Sequence, residues 1–313
     1  MSGQKIPDDF LLEEERSGYL VSSMMKRVWA AELVVLAEVD RICKAHGITY
    51  FADYGTLIGA VRHHGFIPWD DDIDISMKRA DYMKFLSVAR NELKEPYLIH
   101  SYFVREDHDQ PFSVIMNRET VGGYDEITEA FYGCPFIVGV EVYPMDYFPR
   151  DAAEAEVLIP LYQAVYDCVE KYHKYRENGE LEERVKKIRE FTGVPFSEDQ
   201  SLLMQLWQLA DRIASMYREE EADDLVMMYD FALFESPHRR RKEWFSSSVE
   251  LPFENTTIPV PVGYEEFLRS KYGDFMTPVP KSASHEYPFY RKQLPGLPER
   301  MRNEILKEDF LLK

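Results

Sequence analysis

Two nearby stretches of the chain hold residues suited to phosphate chemistry: DYGTLIGAVR, residues 53–62, and IPWDDDIDI, residues 67–75. Asp70, Asp71 and Asp72 are consecutive, and Asp74 follows one apolar residue later. On a strand, alternate side chains share a face, so Asp72 and Asp74 point one way while Ile73 and Ile75 turn to the core. Two carboxylates side by side raise each other's pKa unless a cation lies between them. Mg2+ or Mn2+, which take oxygen ligands and commonly a substrate phosphate, suit such a pair. The alternative is a solvated acidic turn with Asp70 as a cap; the flanking isoleucines weigh against it.

A strand expected to end at Asp53 leads into Gly55 and Thr56, which open a helix. Free backbone N–H groups at a helix start bind phosphate, and Thr56 adds a hydroxyl. Arg62, about two turns beyond Gly55, falls on the same face, where it could neutralise a phosphate or brace the acidic pair. A third carboxylate is offered by VGVEVYPMD, residues 138–146. Glu141 alternates with Val140 and Val142, an unusual place for an unpaired acid. Asp146 competes with it, but Pro144 is expected to end the strand first. Tyr54, Phe66, Trp69 and Tyr143 lie beside these blocks. Their rings could cage a quaternary ammonium or simply pack around a small sheet. His63 and His64 have no third ligand at zinc spacing. Cys134 has no neighbouring base and is read as structural. Arg239–Lys242 is read as a solvated face, and as one of few basic patches open to an anionic acceptor.

The elements that must position these residues can be read from periodicity. A helix is predicted within Tyr19–His46, closed by Gly47. Strands follow at 48–53 and 72–77, with short helices at 55–63 and 79–93, and further strands near 97–103, 112–117 and 136–143. Residues 151–235 are almost free of glycine and carry Leu, Met, Tyr and Glu at helical spacing. Residues 244–261 turn β-like, and 263–272 form a short helix ended by Gly273. The division expected is a loose arm (1–18), a catalytic core (19–150), a helical insertion (151–243) and a C-terminal segment (244–313) that packs back on the core and completes the site. The class is α+β.

With 313 residues, the chain can bury about three quarters of its unfolded surface and needs no staples. Hydrophobic residues at 45% and charged ones at 30% exclude a fibre, a disordered chain and an integral membrane protein. A net charge of −19 repels duplex nucleic acid and anionic membrane. Cys43, Cys134 and Cys168 lie far apart, which suits a reducing compartment. No signal-peptide core is visible, and the apolar run Val28–Val39 is broken by Glu32 and Glu38. The cytoplasm is therefore expected, with no transmembrane segment; peripheral contact with a membrane is left open.

The block GTLIGAVRHHGFIPWDDDIDI resembles the signature of the LicD family, which includes bacterial phosphocholine transferases and fukutin-related ribitol-phosphate transferases. The resemblance continues in GVEVYPMD and returns in IPVPVGYEEFLRSKYGDFM, residues 258–276, and at His285. It implies a nucleotidyltransferase fold related to DNA polymerase β, a mixed sheet with flanking helices. It also implies that Gly55 and Thr56 hold phosphate, that Asp72 and Asp74 bind Mg2+ or Mn2+, and that Glu141 is the third carboxylate. Many relatives have Asp where this chain has Glu141. Many also have a basic residue in the strand around Val114–Asn117, where Arg118 is the nearest substitute. The cysteine-bearing zinc loop of fukutin-related members is missing here. Lys281 and His285 are further candidates for phosphate or acceptor contact. The expected activity is transfer of phosphocholine from CDP-choline to a sugar hydroxyl of a cell-surface glycan or glycolipid, of teichoic acid or lipopolysaccharide type. The alternatives are a CDP-ribitol or CDP-glycerol phosphotransferase, a small-molecule nucleotidyltransferase, or a binding module without turnover.

Overall fold

The computed structural model of the chain describes residues 5–233, 238–279 and 287–312. Along the chain run β1 (Glu14–Arg16), β2 (Tyr19–Val21), α1 (Ser23–His46), β3 (Phe51–Ala52), α2 (Tyr54–Arg62), β4 (Ile73–Lys78), α3 (Arg79–Glu92), β5 (Leu98–His100), β6 (Ser113–Met116), α4 (Glu126–Ala130) and β7 (Gly139–Pro149). Helices α5 (Ala152–Glu170), α6 (Tyr172–Glu177), α7 (Leu181–Thr192) and α8 (Leu202–Ala214) come next, then β8 (Ala222–Val226), α9 (Met228–Leu233) and β9 (Arg240–Arg241). The hairpin β10 (Ser248–Phe253) and β11 (Thr256–Pro261), α10 (Tyr264–Tyr272) and α11 (Glu299–Glu308) close the chain. Mixed α/β structure around a sheet flanked by helices is the architecture expected of a nucleotidyltransferase-like fold.

The chain forms two compact units. The first comprises Met1–Ile99, Val114–Val142 and Ser246–Lys313; the second comprises His100–Ser113 and Tyr143–Phe245. In the first, the strand order β3-β4-β7-β6-β5 sets the strand of Asp74 beside the strand of Glu141. Helix α1 is the spine of this unit. Ser22 accepts the Met25 N–H at its N-terminus (3.2 Å), and Gly47, at φ +59°, closes it in the left-handed conformation that glycine adopts without steric cost. Trp29 of α1 stacks on Phe66 (4.7 Å between ring centroids), and Phe66 meets Phe253 of β10 (5.0 Å). The second unit buries an apolar cluster that draws Leu158, Tyr162 and Val165 from α5, Val185 and Ile188 from α7, and Leu206, Trp207 and Ile213 from α8.

Three expectations change. The predicted arm carries β1, which pairs with β2 over the residues where a longer helix was read. Pro144 does not end its strand: β7 runs on to Pro149, with Asp146 opposite Val226 of β8. Proline is tolerated in a strand wherever the ladder does not call for its N–H. Lastly, β4 is buried on both faces over Ile73–Met77, so the Asp74 face is covered as well as the isoleucine face.

The C-terminal segment belongs to the first unit and grips the loop between α2 and β4. Glu254 sits in the turn of the β10–β11 hairpin. Its Oε1 accepts from Phe66 N–H (2.9 Å) and from Arg16 Nη1 (2.5 Å), and its own N–H donates to the His64 carbonyl (2.8 Å). Arg62 Nη1 donates to the Phe275 carbonyl (2.8 Å), and Phe289 N–H donates to Asp71 Oδ2 (2.6 Å). Glu254→Ala leaves a partly buried guanidinium and a backbone N–H without their acceptor. A loss of about 3 kcal/mol in chemical denaturation is expected. A chain ending at Ser247, which lacks all three grips, is expected not to unfold cooperatively.

Candidate active site

The turn from β3 into α2 and the start of β4 are one hydrogen-bonded body. Asp53 N–H donates to the Asp74 carbonyl (3.0 Å), and Asp74 N–H donates to Thr56 Oγ1 (2.9 Å). The Asp53 carboxylate accepts from Tyr54 N–H (2.8 Å) and caps α2. Both backbone groups of Asp74 are thus clasped by the glycine-threonine turn. A Cβ on Gly55 would lie 2.1 Å from Asp70 Oδ2, so only glycine lets that carboxylate rest against the start of α2. Tyr54 holds φ +41°, a costly conformation for a side chain of its size and one that concentrates at functional sites.

Asp74 is 6% exposed, and among the described residues its Oδ1 has no hydrogen-bond partner. Burial pushes its carboxyl well above the usual carboxylate range. The charges of Asp72, Glu141, Asp70 and Asp53 push it the same way, in that order. Asp72 and Glu141 are therefore within electrostatic reach of Asp74, and all three lie in the first unit. A buried carboxylate oxygen without a donor, under the charge of further carboxylates, fits a cation. Among the described residues no three His, Cys, Asp or Glu side chains are gathered so as to hold a metal ion by themselves. The fit is thus to a cation that keeps few protein ligands and takes the rest from water or substrate phosphate, as Mg2+ does.

The other predicted residues divide. Gly55, Thr56 and Tyr54 lie at the clasp, and the Lys271 ammonium stands 4.1 Å from the centroid of the Tyr54 ring. Arg62 turns toward the C-terminal segment through Phe275, and its Nε donates to His63 Nε2 (2.9 Å). Trp69 is 6% exposed and meets Tyr19 and His63 edge-on, so it packs rather than offering an open face. Arg118 is buried and donates to Asp125 (2.7 Å), Thr128 (3.0 Å) and the Pro135 carbonyl (3.1 Å), bracing the loop of residues 118–135. Tyr143 falls in the second unit, against Phe112 (4.4 Å) and Tyr229 (6.1 Å), as does Asp146. Lys281 and His285 lie outside the described residues. The run Arg239–Lys242 is no simple solvated face: Arg240 is buried, and Arg239 and Arg241 pair with Asp224. The Cys134 thiol is buried and pushed up to about 12 by its burial, which leaves it inert.

Sequence reasoning missed two acids. Asp71, fully buried, accepts from the Phe289 N–H through Oδ2. Glu32 of α1 is 2% exposed and feels the charges of Asp72, Asp71, Asp70 and Glu141. Its one signal was its place inside an apolar helical run. A separate cleft of about 850 Å3 opens in the second unit, lined among others by Tyr172, Arg176, Lys186, Arg189 and Phe196; it includes none of the predicted site residues.

Residues 47–133 match the family model described as LicD/FKTN/FKRP, nucleotidyltransferase domain, and Asp72 and Asp74 lie inside the matched stretch. Among characterised proteins, the chain is similar to the lipopolysaccharide cholinephosphotransferase LicD of Haemophilus influenzae. The two are 28% identical over 258 residues, which cover 80% of this chain and 90% of that protein. A shorter match, 37% identical over 54 residues, joins it to an uncharacterized protein of Rickettsia typhi and covers 17% of this chain and 18% of that protein. Among the described residues no helix is long and apolar enough to cross a membrane.

His63 supplies a pH test. Burial lowers its imidazole to about 4, with the Arg62 and Arg16 charges acting in the same direction. Protonation would also cost the acceptor role of Nε2 toward Arg62. Between the ordinary value of 6.5 and about 4, the unfolded chain binds a proton that the folded chain refuses, so stability falls as pH falls through this window. His63→Gln is expected to flatten that slope in denaturation midpoints measured across it.

Proposed function

We propose that the protein is a metal-dependent phosphotransferase that moves phosphocholine from CDP-choline to a hydroxyl of a cell-surface glycan or glycolipid, of lipopolysaccharide or teichoic acid type, acting in the cytoplasm. The observation that carries this reading is the convergence of the Asp72 and Glu141 charges on a buried Asp74 whose backbone is clasped by the Gly55–Thr56 turn. The similarity to the Haemophilus influenzae cholinephosphotransferase supports the class of reaction.

In this reading Asp72 and Asp74 would hold Mg2+ or Mn2+, which would offset the charge of the diphosphate. The first turn of α2 offers backbone N–H groups to the phosphates. Glu141 accepts the proton of the acceptor hydroxyl as its oxygen forms the new bond to phosphorus and the bond from phosphorus to CMP breaks. Tyr54 is the favoured ring for the choline ammonium because it stands at the clasp; its face receives the Lys271 ammonium, which choline would displace, and such contacts contribute about 0.5–2 kcal/mol. The buried Trp69 is better suited to supporting the loop.

Incubation with CDP-choline, CDP-ribitol or CDP-glycerol in the presence of Mg2+, with CMP release as the readout, tests the assignment. CDP-choline is expected to be turned over and the polyol donors to be poor. Preferential turnover of CDP-ribitol or CDP-glycerol would transfer the reading to those donors. Asp72→Asn and Asp74→Asn are expected to lower the rate by about 10²-fold or more, and Glu141→Gln by about 10²–10⁴-fold. Unaltered thermal unfolding of the variants would separate these losses from misfolding.

A further inference from the structure

We propose that Glu32, carried by α1, is a charge-balancing residue for the cation held by Asp72 and Asp74, and that it sets how tightly that cation is bound. The inference rests on the cation site of the function proposed above and assigns it a residue from outside the LicD-family match at 47–133.

Glu32 sits among Val28, Trp29, Leu33 and Leu36, all buried on the same helix. A carboxylate seldom occupies such a place unless it is paired. The other two buried charges of α1 are paired: Lys26 Nζ lies 2.7 Å from Glu14, and Glu38 lies 2.8 Å from Arg41. Glu32 differs. Among the described residues its Oε2 has no hydrogen-bond partner, and the charges bearing on it are those of Asp72, Asp71, Asp70 and Glu141. Asp74 Oδ1 shares this condition in the same acidic neighbourhood. Helix α1 meets the acidic loop directly, Trp29 Nε1 donating to the Asp70 carbonyl (3.0 Å), and the two unpartnered buried carboxylate oxygens, one from this helix and one from β4, share Asp70, Asp72 and Glu141 as charged neighbours. Leucine or glutamine would fill the position without the desolvation penalty of a carboxylate. Negative charge in that wall acts to hold positive charge. Because no three acids are gathered tightly enough to enclose an ion, Glu32 acts through its field or through a metal-bound water, as groups beyond the direct ligands do.

The test is Mn2+ binding to the full-length protein without nucleotide, measured by electron paramagnetic resonance or calorimetry. Glu32→Gln keeps the shape and removes the charge. It is expected to weaken Mn2+ binding by about 10–100-fold while the metal-free protein unfolds at the same or a higher temperature. Glu32→Asp, which keeps the charge, is expected to recover most of the affinity. Unchanged Mn2+ affinity in Glu32→Gln overturns the proposal. So does a Glu32→Gln protein that unfolds earlier or fails to fold, because the residue would then be structural. If Asp72→Asn and Asp74→Asn abolish binding while Glu32→Gln does not alter it, the role of Glu32 falls and the cation site stands. If the wild-type protein binds no Mn2+, both fall together.

Discussion

The first unit turns on the double clasp of Asp74. A strand residue ordinarily spends its N–H and C=O on neighbouring strands. Asp74 spends its N–H on the Thr56 hydroxyl and its C=O on the Asp53 N–H, both from the turn that starts α2. The clasp fixes where the carboxylate emerges relative to the N-terminus of α2. Everything else at the site serves that placement. Gly55 clears space for Asp70, α1 backs the loop through the Trp29–Phe66 stack, and Glu254 holds the loop from the hairpin side.

The acidic run is divided among tasks rather than pooled. Asp70 rests against Gly55, and its carbonyl accepts from Trp29 Nε1 (3.0 Å). Asp71 is spent on Phe289, and Asp74 is clasped at the start of β4. Adjacent carboxylates in a low-dielectric setting cannot all keep their charge unless each meets a donor or a cation. Asp70 and Asp71 are thus engaged separately, one against the start of α2 and one by the Phe289 N–H.

What could be read from the sequence was local. Helices α1, α2 and α3 announced themselves by period, and α1 also by the Gly47 that closes it. The acidic pair announced itself by alternation with isoleucine. What could not be read depended on partners far along the chain. Nothing near Asp71 signals Phe289, and nothing near Arg118 says that its fork will close on Asp125, Thr128 and Pro135 rather than face a phosphate. The β1–β2 pairing was hidden because Tyr19–Val21 also fits the apolar pattern of the helix that follows. Pro144 misled because a proline ends a strand only if the ladder needs its N–H, which is a property of the partner strand.

The grips on the loop also bear on how the chain reaches its working form. Arg16 to Glu254, Phe66 to Glu254 and Phe289 to Asp71 join residues 238, 188 and 218 positions apart. The whole second unit is synthesised between those partners. Contacts this distant form late, because loop closure must come first. The Asp74 clasp joins residues close along the chain and can form early, whereas Phe66 and Asp71 gain their acceptor and donor only once Glu254 and Phe289 have emerged. A chain cut short before those residues would keep the clasp and lose the grips that steady the loop around it.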